Sequence, residues 1–225
     1  MSNAPLDYLK WYYESNVWKR LHYRGVRTLK LPLDLWNYQE LMFENDIHWV
    51  LETGTRHGGS ALFFADLLAA GAREGSVVSI DITHEALHPL AAAHPGIRLL
   101  LGDSADPAIV GSIRQLIPQG RSHGLLLILD SDHSAPHVLR ELNTLVPLLR
   151  QGDYLVVEDT VVNGHPVRPD FGPGPLEAIE AYLAANPQQL VADVGRESKF
   201  GCTFAFRGYY KVAAVCRPGP LGPSC

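Results

Sequence analysis

Short apolar segments alternate with segments of helical periodicity from Trp49 to about residue 211. The apolar segments are typical of strands buried on both faces, and the segments between them repeat apolar residues at the spacing of an amphipathic helix. Strands are predicted in WVLE, VVSID, IRLLLGD, LLLILD, YLVVED, LVADV and CTFAFRG. The alternation predicts a Rossmann-like α/β fold, in which a mostly parallel seven-stranded sheet carries helices on both faces.

Three parts of the chain differ in pattern. Residues 1–45 are predicted to form an N-terminal helical extension, whose many Trp and Tyr side chains pack on the main domain or a second subunit, or cover the substrate as a lid. Residues 46–211 form the predicted α/β domain. Residues 212–225 are predicted to be disordered, because their sequence is rich in Pro and Gly.

Composition narrows the class of protein. The 225 residues carry a net charge of -5, which argues against a nucleic-acid partner, since phosphate binding needs a concentrated basic surface. Basic residues recur from Lys19 to Lys30 and are expected on a solvated helical face or loop. The three cysteines form no CxxC pair, which fits a reducing compartment, and no apolar stretch is long enough to cross a bilayer. A cytoplasmic location without membrane contact is therefore expected.

Acidic residues end the first three predicted strands. Glu52, Asp81 and Asp103 each follow an apolar segment, and an open α/β sheet binds its ligands outside the carboxyl ends of its strands. Asp81 has the position of an acceptor for ribose hydroxyls, and Asp103 with Ser104 has that of an adenine contact. Each residue alone fits a helix cap equally well. Together, at consecutive strand ends, they favour a nucleoside-bearing cofactor.

A glycine-rich loop, ETGTRHGGS at residues 52–60, joins the first predicted strand to the first helix of the domain. It matches neither G-x-G-x-x-G nor the phosphate-binding P-loop, and it begins with a carboxylate, whereas a pyrophosphate needs hydrogen-bond donors. Glu52 therefore suits the ammonium group of S-adenosylmethionine, and Gly54 and Gly58 allow close approach of the backbone. Taken alone, the loop fits a tight turn without a ligand as well.

A second acidic set ends the fourth and fifth predicted strands. Asp130, Glu158 and Asp159 lie at neighbouring strand ends, about 5 Å apart, so one cation can contact all three. Oxygen ligands without cysteine favour Mg²⁺, Mn²⁺ or Ca²⁺. Asp132 is a competing ligand, and the alternative for the whole set is helix capping or a solvated loop.

His133, three residues after Asp130, is the best candidate for a general base. A cation at this place lowers the pKa of a substrate hydroxyl, and a nearby imidazole removes the proton. A lone histidine is more often structural than catalytic. His57, His137 and His165 are weaker candidates because they lie further from the acidic set.

At these residues the chain resembles the cephalosporin hydroxylase family, a branch of the class I S-adenosylmethionine-dependent methyltransferases that includes rhamnosyl and macrolide-sugar O-methyltransferases. The resemblance lies in LKLPLDLWNYQELMFE (29–44), WVLETGTRHGGSALFFADLL (49–68), LLILDSDHSAPHVLRELNTLVPLLRQGDYLVVEDT (126–160) and GPGPLEAIEAYL (172–183). The elements ETG-x3-GGSA and LVVEDT are its most specific parts. Nothing in the sequence resembles the 2-His-1-carboxylate iron site of an oxygenase, so hydroxylation is not inferred.

The resemblance implies a role for each residue of the two sets. The cofactor residues are Glu52, Gly54, Gly58, Ser60, Asp81, Asp103 and Ser104. It implies that Asp130, Glu158 and Asp159 bind magnesium, with His133 as the general base.

The sequence therefore predicts a metal-dependent O-methyltransferase that uses S-adenosylmethionine. The expected acceptor is a hydroxyl of a sugar-containing natural product, such as an antibiotic, or of a glycolipid, and a homo-oligomer is expected. Alternatives are methylation of a catechol-type aromatic acceptor and a non-catalytic S-adenosylmethionine-binding partner protein. A nicotinamide-dependent dehydrogenase is disfavoured, because the pyrophosphate-binding fingerprint is missing.

Overall fold

The N-terminal extension is helical at both ends, with a hairpin between them. The computed structural model describes residues 3–213 and the strand residues 218–219 and 222–223. Its N-terminal elements are α1 (Ala4–Glu14), a 3₁₀ turn (Val17–Arg20), β1 (His22–Tyr23), β2 (Val26–Arg27) and α2 (Pro32–Glu44). The prediction of helix throughout residues 1–45 is therefore wrong for residues 22–27. Arg24 and Gly25 have φ of 50° and 82°, which turns the chain back into the hairpin.

The predicted α/β sheet forms the centre of the protein. Its strands are β3 (Ile47–Thr53), β4 (Val77–Asp81), β5 (Ile97–Leu101), β6 (Gly124–Leu129), β7 (Tyr154–Val157), β8 (Leu190–Ala192) and β9 (Tyr209–Val212). Their order across the seven-stranded sheet is β5-β4-β3-β6-β7-β9-β8. β9 runs antiparallel to both of its neighbours, and the strands from β5 to β7 are parallel. The predicted fold class is confirmed.

Both faces of the sheet are buried, as continuous apolar strands require. Leu51, Leu127 and Leu155 belong to the apolar core on one face, whereas Val50, Leu126 and Val156, their neighbours along the strands, belong to the core on the other. The covering helices are α3 (Gly59–Ala70), α4 (Pro89–Ala92), α5 (Pro107–Leu116), α6 (Ala135–Leu145), α7 (Pro175–Ala185) and α8 (Val194–Ser198). None of the helices in the described part of the chain is long and apolar enough to cross a membrane.

The strand predicted in CTFAFRG is wrong. The last strand of the sheet is β9, which begins after this segment, at Tyr209. Phe204 turns inward to the aromatic side chains of α1, with ring centroids 5.8 Å from Tyr12 and 5.9 Å from Tyr13. Arg207 adopts a φ of 53° just before β9, which an extended strand does not allow.

The C-terminal boundary also shifts. Val212, placed in the disordered tail by the sequence, is the last residue of β9. Beyond it, Pro218–Gly219 and Gly222–Pro223 pair as the short strands β10 and β11. The other residues of the predicted disordered tail, 214–217, 220–221 and 224–225, lie outside the described residues.

Candidate active site

A cleft of about 860 Å³ follows the carboxyl ends of the central strands. The predicted site residues that line it are Gly54, Ser60, Asp81, Asp103, Ser104, Asp130, His133 and Asp159. Glu52, Gly58 and Glu158 lie behind its surface, since each is buried. The parallel strands thus bring both acidic sets to one cleft, with the cofactor set at one end and the metal set at the other.

The glycine-rich loop is shaped by close packing against neighbouring segments. Gly54 has a φ of 88°, and a Cβ there would lie 2.0 Å from the backbone oxygen of Asp130. Gly58, with a φ of 79°, is packed in the same way against Ala91 of α4. Only glycine fits such positions without strain, so Gly54 joins the cofactor end of the cleft directly to the metal end.

Backbone amides hold the two aspartates of the cofactor end. Asp81 accepts hydrogen bonds from the amides of Arg56, at 2.8 Å, and Thr83, at 3.2 Å. Asp103 accepts one from the amide of Ala105 at 2.9 Å, and this bond and the Arg140 guanidinium hold its pKa below the ordinary value. Both carboxylates are thereby fixed in position and face the cleft.

Glu52 lies beneath the cofactor end of the cleft. Its Oε2 accepts a hydrogen bond from Ser79 at 2.8 Å, and its Oε1 is buried without a partner among the described residues. Burial raises the pKa of this carboxyl group, although the Lys30 ammonium opposes the shift. An unpaired buried acceptor next to the cleft fits a cationic ligand such as S-adenosylmethionine.

Three groups converge at the other end of the cleft. Asp130, His133 and Asp159 each offer one ligand atom, and these atoms all lie within 4.8 Å of one another. His133 Nε2 lies 3.1 Å from Asp159 Oδ2, so the carboxylate can stabilise a protonated imidazole. The two carboxylates at this spacing fit a divalent cation that prefers oxygen ligands.

Glu158, the third predicted metal ligand, has other partners. Its Oε1 accepts hydrogen bonds from Lys30 Nζ, at 2.9 Å, and from the Tyr38 hydroxyl. Lys30 Nζ also lies 2.5 Å from Asp130 Oδ2, and the Lys30 side chain is only 2% exposed. The prediction of Lys30 on a solvated surface is therefore wrong. In the sequence, burial of Lys30 was indicated only by its two apolar neighbours, Leu29 and Leu31.

Two of the carboxyl groups at this end of the cleft, Asp130 and Asp159, have a raised pKa. Burial raises the pKa of Asp130 to about 7, with the Lys30 ammonium opposing and Glu158 and Asp159 adding to the shift. Burial also raises the pKa of Asp159. For Lys30, burial lowers the pKa, but the surrounding carboxylates outweigh it and hold the pKa above its ordinary value. The negative charge of the carboxylates around Lys30 is therefore larger than its single positive charge.

Glu141 of α6 connects the two ends of the cleft from below and was missed by the sequence analysis. Its side chain is fully buried, and its Oε1 accepts hydrogen bonds from Ser104, at 2.5 Å, and Ser131, at 2.7 Å. His137 Nε2 lies 3.1 Å from the Ser131 hydroxyl. His137, a weaker candidate for the general base, therefore takes part in a local hydrogen-bond network with Ser131.

The other histidine candidates also have local partners. His57 Nδ1 lies 3.1 Å from the backbone oxygen of Ala86. His165 Nε2 lies 2.9 Å from Glu177 Oε1, and Glu177 Oε2 accepts a hydrogen bond from the Gly174 amide at 2.7 Å. Glu177 thus connects His165 and Gly174 within residues 161–175, a glycine- and proline-rich loop that follows β7. Of the histidines weighed from the sequence, only His133 lies against the carboxylates of β6 and β7.

Aromatic side chains of the N-terminal extension form one wall of the cleft. They lie toward the end that contains Asp130, His133 and Asp159, which is called the reactive end below. Tyr13 and Trp18 line the cleft, and their rings stack with centroids 5.7 Å apart and planes inclined by 24°. Phe204 lines the same wall. Leu9 and Tyr12, in contrast, are buried against the main domain. Packing on the main domain therefore holds for Tyr12, whereas a lid over the substrate, for which Tyr13 and Trp18 are placed, stays a prediction.

Comparison with known proteins identifies similar sequences over most of the chain. A family model described as Rhamnosyl O-methyltransferase/CmcI matches residues 15–213. The Rhamnosyl O-methyltransferase of Mycobacterium bovis (strain BCG / Pasteur 1173P2) is 46% identical over 203 residues, covering 90% of this chain and 82% of that protein. That of Mycobacterium leprae (strain TN) is 48% identical over 203 residues, covering 90% of this chain and 88% of that protein.

Solved structures share the fold. A structure of CmcI with Mg and SAM matches with a TM-score of 0.68 and 24% sequence identity, covering 87% of this chain and 78% of that chain. The similarity at this level of identity concerns the arrangement of the sheet and its helices.

Proposed function

Since the chain belongs to the Rhamnosyl O-methyltransferase/CmcI family and is an S-adenosylmethionine-dependent O-methyltransferase, we propose that it methylates a sugar hydroxyl at a site where Asp130 and Asp159 hold a divalent cation. The family and the enzyme class predicted from the sequence are confirmed. The sugar of a natural product or glycolipid as acceptor, the need for a metal, the cytoplasmic location and the homo-oligomeric state stay predictions.

The observation that carries the proposal is the convergence of Asp130, His133 and Asp159 beside the cofactor end of one cleft. S-adenosylmethionine supplies an electrophilic methyl group, and a divalent cation supplies stabilisation of an acceptor oxyanion. His133 accepts the proton of the acceptor hydroxyl, and Asp159, at 3.1 Å, stabilises the imidazolium. Glu158 as a further ligand stays a prediction, since its Oε1 contacts Lys30 and Tyr38.

The cofactor residues act by binding and orientation. Asp81 and Asp103 are fixed by backbone amides at the end of the cleft that suits the nucleoside. Glu52 offers a buried acceptor below Ser60, on the side of the methionine group. Tyr13 and Trp18 offer aromatic surface to the sugar ring, because carbohydrate and other small-molecule sites combine apolar walls with few polar groups. Holding both reactants in line accounts for much of the expected rate gain.

The test is methyl transfer from labelled S-adenosylmethionine to a panel of rhamnosides, other glycosides and catechols, with and without EDTA. We expect label in glycosides, loss of activity in EDTA and recovery with Mg²⁺. Asp130→Asn should be inactive under all conditions. Asp106→Asn is the matched control and should stay active, because Asp106 is the N-cap of α5, accepts a hydrogen bond from the Ala108 amide at 2.7 Å and does not line the cleft. Transfer to catechols alone, or full activity in EDTA, contradicts the proposal.

A further inference from the structure

Lys30 is a buried cation inside the acidic site. It lies in the loop between β2 and α2, and the Tyr12 hydroxyl donates to its backbone oxygen at 3.1 Å. Its Nζ contacts Asp130 Oδ2 at 2.5 Å and Glu158 Oε1 at 2.9 Å. The chain thus places a fixed ammonium between the carboxylates that end β6 and β7.

The charges of the site show what this ammonium does. Asp130, Glu158 and Asp159 carry three negative charges when ionised. Within residues 3–213, the positively charged side chain that contacts Asp130 and Glu158 is that of Lys30. Two negative charges are left over, which equals the charge of one divalent cation. Lys30 and a single divalent ion together neutralise the set, whereas a second metal ion would leave it positively charged.

We propose that Lys30 is a built-in counter-cation that competes with the divalent metal for these carboxylates, so that the site folds without metal and binds metal reversibly. The inference rests on the proposed metal binding. Like charges a few ångströms apart repel even at the effective dielectric of a protein site, so the ammonium weakens the metal that shares Asp130. Removing it should therefore tighten metal binding.

A purely structural role of Lys30 predicts the opposite result. If the ammonium only held Asp130 and Glu158 in place, its loss would let the carboxylates separate, and metal affinity would fall or stay the same. The coupling between Lys30 and the metal is reciprocal, so metal should also stabilise the fold more when the ammonium is missing. The direction of the change separates the two roles.

The experiment measures Mn²⁺ binding by the electron paramagnetic resonance of the free ion, at mildly alkaline pH and without S-adenosylmethionine. We expect Lys30→Met and Lys30→Gln to bind Mn²⁺ about tenfold more tightly or better than the unchanged protein. Lys30→Arg keeps the charge and should bind as the unchanged protein does. Lys199→Met is the matched control, because Lys199 pairs with Glu40 far from the cleft. Thermal unfolding with and without Mg²⁺ should show the larger increase in Tm for Lys30→Met.

Each outcome has one meaning. Mn²⁺ binding by the unchanged protein with equal or weaker binding by Lys30→Met and Lys30→Gln overturns the inference and leaves the proposed metal site intact. Absence of binding in all variants overturns both. Folding of Lys30→Met only when Mn²⁺ is present supports the inference. If Lys30→Met does not fold under either condition, Lys30→Gln, which keeps a polar group, decides.

Discussion

The two ends of the cleft hold their carboxylates by different means. At the cofactor end, backbone amides bind Asp81 and Asp103, and the Arg140 guanidinium also pairs with Asp103, whose pKa lies below its ordinary value. At the reactive end, Asp130 and Glu158 are held by the side chain of Lys30, from a distant part of the sequence. Burial there raises the pKa of Asp130 to about 7.

The two ends therefore differ in how far their charges are balanced within the protein: the cofactor end more fully, the reactive end only in part. At the cofactor end, the Ala105 amide and the Arg140 guanidinium favour the ionised form of Asp103. The carboxylates of the reactive end are crowded and only partly neutralised by Lys30, so the proposed divalent cation would complete their neutralisation. We therefore expect S-adenosylmethionine binding to be independent of divalent metal, and methyl transfer to depend on it.

The largest effect is expected from His133→Ala. The variant removes the proposed base at the reactive end, so turnover should fall by about 10²-fold or more. The affinity for S-adenosylmethionine, measured by calorimetry, should not change, because His133 contacts Asp159 and none of the cofactor aspartates.

Asp81→Asn is the counterpart at the other end of the cleft. It should weaken S-adenosylmethionine by about tenfold, as loss of a charge-assisted hydrogen bond predicts, and leave Mn²⁺ binding unchanged. For the other variant, unchanged turnover of His133→Ala would show that His133 is not the general base. Loss of Mn²⁺ binding in Asp81→Asn would show that the two ends are not independent.

The same contrast explains what the sequence could predict. The parallel strands β3 to β7 follow from local patterns, since the apolar segments between residues 49 and 157 are strands, and Asp81, Asp103 and Asp130 at their ends line the cleft. Asp81 and Asp103 obtain amide partners two residues away, at Thr83 and Ala105. Such local geometry accompanies the turn after a strand, so these positions could be assigned from the sequence.

Long-range contacts could not be assigned in this way. Lys30 meets Asp130 and Glu158 across sequence separations of 100 and 128 residues, and Glu141 meets Ser104 across 37. The apolar segment CTFAFRG has a strand-like composition, but packing of Phe204 on α1 overrides it. Tertiary contacts decide these cases, and propensity is a weak guide to them.

A smaller effect should appear when pH is varied. A carboxylate binds a cation only when ionised, so a raised pKa of Asp130, about 7, should make Mn²⁺ affinity rise with pH through that value. Below it, affinity should fall by about tenfold per pH unit. Asp103, with its lowered pKa, stays ionised between about pH 6 and pH 8, so its contribution to S-adenosylmethionine binding should not change over that range. Parallel falls of both affinities would contradict the contrast between the two ends.

The smallest effect tests the aromatic wall beside the reactive end. Trp18→Ala removes a ring that lines the cleft and stacks on Tyr13 at 5.7 Å, so KM for a glycoside acceptor should rise by about three- to tenfold, the equivalent of ~1 kcal/mol of lost contact. Turnover at saturation and S-adenosylmethionine affinity should be kept, since the ring contacts neither the base nor the cofactor end. Trp11→Ala is the matched control, because Trp11 lies on the same N-terminal extension, is 55% exposed and does not line the cleft. Equal KM values for the two variants would assign Trp18 to packing alone and place the acceptor elsewhere along the cleft.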